Sequence, residues 1–105
     1  MEILSWATAV TSEQEERLTQ AGLASLERLL AHPARTKMTK SLTFGEAHYA
    51  LKGGDRYLEV DREGLWTMPT NTWRTPQRVE ATADLVRKFR VTPKAVDEVI
   101  GRLEA

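Results

Sequence analysis

The side chains able to do acid–base, nucleophilic or metal chemistry are few in this chain and are not spaced for it. The two histidines, His32 and His48, lie sixteen residues apart with no ligand spacing between them, so no metal site follows. There is no cysteine, which removes thiol nucleophiles, disulfides and Cys-containing zinc sites and fits a reducing compartment, so the expected location is cytoplasmic. Carboxylates come in pairs at Glu15-Glu16, at Asp61 with Glu63 and at Asp97-Glu98. Each pair sits in a polar helical face or a turn and reads as solubility, not as an acid and a base. No Ser-His-Asp arrangement can be anchored, and there is neither a glycine-rich dinucleotide loop nor an H-E-x-x-H. The expectation is a protein that is not an enzyme and that needs no cofactor and no metal.

What remains is recognition chemistry. Trp6, Trp66 and Trp73 hold much of the aromatic surface, and aromatic anchors dominate protein–protein hot spots because they bury large area at little entropic cost. Trp66 alternates with Leu65 in a strand pattern, so one of the two faces the core and the other faces outward. Trp73, between Thr72 and Arg74 in a loop, is expected to be partly exposed. Trp66, Trp73 and Arg74 are therefore the candidate protein-binding residues. Arg35, Lys37 and Lys40, interleaved with Thr36 and Thr39, would suit a phosphate, but the segment lacks the glycines and the strand-to-helix setting of a phosphate loop and reads as solvated.

The totals set limits on the partner. Fifteen basic and fifteen acidic residues cancel over 105 residues, which argues against nucleic-acid binding by bulk charge. The sign drifts along the chain: residues 1–32 hold two basic against five acidic residues, 33–73 six against five and 74–105 seven against five. The opening MEILSWATAV has no basic n-region and only a short apolar stretch, so it reads neither as a signal peptide nor as a membrane span. The length is that of one domain, residues 1–105, with one core.

The elements that must position these residues follow from capping and periodicity. Ser12 with Glu15 reads as a capping box opening a helix over residues 12–31, with Leu18, Gly22, Leu26, Leu29 and Leu30 on one face and His32-Pro33 ending it. Residues 1–10 fit a short edge strand or a helical turn equally. Residues 33–41 read as a loop. Thr43 and Glu46 form a T-x-x-E box and Gly53-Gly54 a stop, which gives a short helix over residues 44–52, with a strand over 41–50 as the competing assignment. Residues 56–60 (RYLEV) and 65–68 (LWTM) form a hairpin around Asp61-Arg62-Glu63-Gly64, with Gly64 at positive φ. Thr75-Pro76 opens a helix to about residue 90, and Thr92-Pro93 opens the last, with Val96, Val99, Ile100 and Leu103 on one face. The fold class is α+β: a small single domain of helices packed on a short antiparallel hairpin or sheet.

The closing pair of helices resembles a helix-turn-helix, with Leu85, Phe89, Val91, Val96 and Val99 at that motif's apolar positions. The resemblance covers residues 85–103. It implies a DNA-binding regulator acting as a homodimer, in which Thr92, Lys94, Asp97, Glu98 and Arg102 face a groove while Arg78, Arg87 and Lys88 reach phosphates. Arg90 stands where the motif usually has glycine, and Val86 where it usually has a small residue. Asp97 and Glu98 would face a polyanion. Separately, Leu42-Thr43-Phe44-Gly45-Glu46-Ala47 followed by Ala50-Leu51-Lys52-Gly53-Gly54 resembles the opening helix of a phage-borne Thoeris anti-defence family. That likeness implies a small inhibitor, from a mobile element, that sequesters signalling nucleotides. The leading expectation is a non-enzymatic protein that binds a protein partner as inhibitor, adaptor or assembly factor; DNA binding is the alternative.

Overall fold

The computed structural model describes residues 5, 6, 8, 9, 11–44, 56–69 and 76–105. Helix α1, Ser12–Leu30, is capped by Thr11 and not by Ser12. The Thr11 hydroxyl accepts from the Gln14 amide and the Gln14 side chain accepts from the Thr11 amide, both at 3.1 Å, so the capping box lies one residue earlier than Ser12 and Glu15 suggest. The chain then tightens into a 3₁₀ turn, Pro33–Lys37, where a loop was expected. His32 caps that turn, its Nδ1 accepting from the Ala34 amide at 3.1 Å. In the first ten residues, a turn is closed by the Thr8 amide donating to the Ser5 carbonyl at 3.1 Å.

A four-stranded antiparallel sheet follows in meander order: β1 Leu42–Thr43, β2 Arg56–Asp61, β3 Gly64–Pro69 and β4 Gln77–Val79. Two sequence expectations are corrected here. Leu42 and Thr43 pair with Val60 and Glu59, and the Phe44 amide donates to the Leu58 carbonyl at 3.0 Å, so the chain is extended here and no helix begins at Phe44. The rest of the expected 44–52 helix, and most of the Thoeris-like segment, falls on residues 45–55, which lie outside the described set. The second correction concerns residues 76–82. Val79, which falls within the helix expected from Pro76, is instead the register partner of Leu65 in β4, and the helix α2, Ala83–Phe89, begins only after Thr82, whose hydroxyl accepts from the Leu85 amide at 3.1 Å. Thr75-Pro76 therefore opens no helix at Pro76, and two cap signals stood close together in the sequence. Helix α3, Pro93–Glu104, starts where Thr92-Pro93 requires, with the Thr92 hydroxyl accepting from the Ala95 amide at 3.1 Å.

The hairpin forms as expected. Asp61 pairs with Gly64 across a two-residue turn, Asp61 Oδ1 accepts from the amides of Glu63 and Gly64 at 2.8 and 3.1 Å, and Gly64 has φ +144°. Alternation sends Leu58, Val60, Leu65 and Thr67 to one face of the sheet. Leu26 and Leu29 of α1, Leu85, Val86 and Phe89 of α2, and Val96 and Val99 of α3 close over that face, with Met38, Phe44 and Val91 completing the core. Ile100, placed on the same stripe by its spacing, packs only at the rim. The described residues thus make three α-helices on one side of an antiparallel sheet, the α+β class expected.

Gly22 sets the helical layer. A Cβ built on it would stand 2.7 Å from Val86 Cγ1 and 2.7 Å from the Val91 carbonyl oxygen, so α1 meets the corner between α2 and α3 at a distance only glycine permits. The same Val91 carbonyl accepts from the Trp6 indole at 3.2 Å. Gly101 of α3 has nothing within 4 Å of its virtual Cβ. Gly22→Ala is therefore expected to lower stability by about 1–2 kcal/mol, because overpacking outweighs the gain in helix propensity. Gly101→Ala should raise it by up to about 1 kcal/mol. Thermal and urea melts of the two variants check the contrast, and equal effects of one sign would contradict the close approach at Gly22.

Candidate functional site

The second face of the sheet is where the structure gathers unusual chemistry. Glu59 is the register partner of Trp66, Tyr57 of Met68, and Arg78 of β4 lies beside Trp66, so these side chains stand on the face away from the helices. Leu65 is the strand neighbour that enters the core, which settles the Leu65–Trp66 alternation in favour of an outward tryptophan. Ser41, Glu59, Asp61, Trp66, Met68 and Pro76 line a groove of about 290 Å³ on this face. Trp66 is partly exposed, yet its indole N–H is buried and has no hydrogen-bond partner among the described residues. A buried donor without an acceptor costs about 1–3 kcal/mol.

Glu59 is a buried carboxylate, 9% exposed. The Ser41 hydroxyl donates to its Oε1 at 2.6 Å, and among the described residues no cation pairs with it. Arg78 approaches from β4, but its guanidinium is turned to the hairpin, donating to the Glu63 carbonyl at 2.9 Å. Asp61 stands at the groove's end, and its other flank faces a second groove of about 420 Å³ that contains Lys40 and Arg62. Sequence reasoning picked out Trp66 here and missed Glu59, Ser41, Met68 and Pro76. The signal was the period of two in RYLEV and LWTM, which puts Tyr57 and Glu59 on one face and Trp66 and Met68 on the face that meets it. Trp73 and Arg74 lie outside the described residues.

The helix-turn-helix candidates are distributed differently. Arg87 is held by Asp84 at 2.6 Å. Arg102 donates to the Thr43 carbonyl at 3.1 Å, joining α3 to β1, so the residue proposed to read a groove has a structural contact. Thr92 caps α3 with its hydroxyl. Asp97 pairs with Arg28 of α1, and Glu98 is exposed beside it. Lys88, Arg90 and Lys94 are exposed around the α2–α3 turn. Of the basic loop, Arg35 is committed: its Nε donates to the Leu30 carbonyl and its Nη1 to the Arg62 carbonyl, both at 2.8 Å, tying the end of α1 to the hairpin. Lys37 and Lys40 stay exposed. Among the described residues there is no group of three His, Asp or Glu placed to hold a metal ion, and no helix is long and apolar enough to cross a membrane.

No family model, no curated protein and no solved structure matches this chain. The site must be judged on its own geometry.

Arg90 occupies the glycine position of the turn in a left-handed conformation, φ 49° and ψ 48°, and the Val91 amide closes the end of α2 by donating to the Val86 carbonyl at 3.1 Å. The backbone keeps the left-handed turn that glycine usually makes in this motif, and arginine adopts it. Arg90→Gly is expected to raise stability by about 0.5–1 kcal/mol by removing the cost of that conformation for a residue with a Cβ. A lower melting temperature for this variant would mean that the Arg90 side chain has a stabilising role that outweighs its backbone strain.

Proposed function

We propose that this chain is a non-enzymatic protein-binding domain whose contact surface is the sheet face carrying Trp66. One observation carries the reading. A tryptophan stands outside the core on a strand, at the edge of a groove walled by Met68 and Pro76, with its indole donor unsatisfied among the described residues. Large aromatic side chains next to a concavity are what a partner's hot spot docks against. A carbonyl from a partner would satisfy the indole once the ring turns toward it. The long face of the four-stranded sheet also offers a rigid platform, since its opposite side is fixed by the core.

The test is affinity capture with the tagged protein and its Trp66→Ala variant, read by cross-linking. Removing a central tryptophan anchor is expected to weaken the complex by on the order of 2 kcal/mol, roughly thirtyfold, with the circular dichroism of the domain unchanged. Capture that is indifferent to the variant, with cross-links on the helices, would refute the surface assignment.

A second reading rests on Lys88, Arg90 and Lys94, three exposed cations within seven residues at the α2–α3 turn, none of them in an ion pair among the described residues. This cluster suits a polyanion such as DNA, in keeping with the helix-turn-helix resemblance. Asp97 and Glu98 on the neighbouring exposed turn of α3 oppose it. If duplex DNA is the partner, affinity for a random duplex falls steeply as salt rises and is lowered further by Lys94→Glu. A flat response in an anisotropy titration at two salt concentrations removes this reading.

A further inference from the structure

The groove beside Trp66 has the chemistry of a socket for a long basic side chain, and this inference deepens the protein-binding reading on which it rests. We infer that the partner inserts a lysine or arginine between Trp66 and Met68, with its charged head against Glu59 and Asp61.

The first argument is charge. Glu59 is 9% exposed and has one neutral hydrogen bond, from Ser41. A carboxylate that keeps little contact with water has less water to give up when a cation arrives than an exposed one. The groove-lining residues contain two carboxylates and no cation. Arg78, the basic side chain next to Trp66 on β4, is engaged at the Glu63 carbonyl instead. Lys40 and Arg62 lie across Asp61, in the neighbouring groove. Among the described residues, Glu59 is thus a buried carboxylate with no cation paired to it.

The second argument is shape. Lysine and arginine are apolar along the stem and charged at the tip. Met68, Pro76 and the Trp66 ring form the apolar wall, and Glu59 forms the acidic part, with Asp61 at its end holding one oxygen on the Glu63 and Gly64 amides. Trp66 and Glu59 face one another as direct cross-strand partners, whose Cβ atoms lie about 5 Å apart in antiparallel pairs. A cation seated there would lie beside both the indole ring and the carboxylate, where cation–π and ionic attraction can act on one group. Neither an acidic nor a purely aliphatic side chain gains from both.

Selection of random dodecapeptides displayed on phage, carried out on the folded domain, tests this. The expected peptides share a lysine or arginine at a fixed position, and their synthetic versions bind at least about tenfold more weakly to Glu59→Gln and to Trp66→Ala. The Glu59→Gln amide keeps the shape of the side chain and an oxygen that accepts from Ser41, so the variant is expected to melt no lower than the parent, and a thermal melt confirms that weaker binding is not unfolding. Peptides that need Trp66 but lack a fixed basic residue, or that bind Glu59→Gln equally well, overturn the basic-side-chain inference and leave the binding face standing. Peptides indifferent to Trp66→Ala overturn both.

Discussion

The structure depends on how closely α1 can come to the corner between α2 and α3. Gly22 allows that approach: Val86 and the Val91 carbonyl occupy the space a side chain would need. With the helix backbones this near, Leu26 and Leu29, one and two turns further along α1, reach into the same core as Val96 and Val99. Trp6 then closes the corner from the other side through its hydrogen bond to the Val91 carbonyl. A tightly packed interior transmits such a constraint, because helices held at one point have few other ways to fill the space between them. Arg90 accepts a left-handed backbone conformation at the same corner, which makes sense if the position of the turn is dictated by the packing of Val86 and Val91 and not by the residue that happens to turn.

Among the described residues, fixing the helices as one layer commits one face of the sheet. Leu58, Val60 and Leu65 go under the helices, and the strand period then forces Tyr57, Glu59, Trp66 and Met68 to the other side. The tethers at the edges of this arrangement are polar and specific. Arg35 joins α1 to the hairpin turn, Arg102 joins α3 to β1, Arg28 joins α1 to Asp97, and His32 meets Glu104 at 3.3 Å. Several side chains that look like free recognition groups in a sequence are thus engaged in placing one element against another. Exposed pairs of this kind add little to stability individually, so their effect is on orientation.

What the sequence revealed and what it concealed divide along physical lines. The hairpin was legible because Asp61 to Gly64 combines a side chain that mimics a turn with a glycine that takes positive φ, between two runs of period two. Helix α3 was legible because threonine followed by proline marks a start and the apolar stripe continues from it. Strand β4 was not, because Val79 lies at a spacing from Ala83 and Val86 that also fits a helix, and a three-residue strand has too few positions to show a period. The cue that decides it is Thr82 with Asp84 in the first turn, a later and better cap than Thr75. Strand β1 was hidden for the same reason: two residues carry no pattern, and the pairing of Leu42 with Val60 depends on chain eighteen residues away. For the candidate site, Trp66 stood out by residue type, but nothing local announces that Glu59 is buried. Its burial follows from cross-strand pairing, which the sequence supplies only once the hairpin register is known.

That register is also why the proposed contact is placed on the sheet face and not on the helix pair. On α3 the exposed charges have opposite signs and partners nearby: Lys94 stands near Asp97 and Glu98, Asp97 is held by Arg28, and Arg102 by a backbone carbonyl. A charge that is solvated or already paired gains little from a newcomer, since a new contact must replace water or an existing bond. Glu59 is in the reverse position. It is 9% exposed and accepts one hydroxyl, so an arriving cation has less of the carboxylate's water to displace than at an exposed site. Among the described residues this carboxylate has no counter-charge and the neighbouring indole donor has no acceptor, and the proposed basic side chain would answer the first of these.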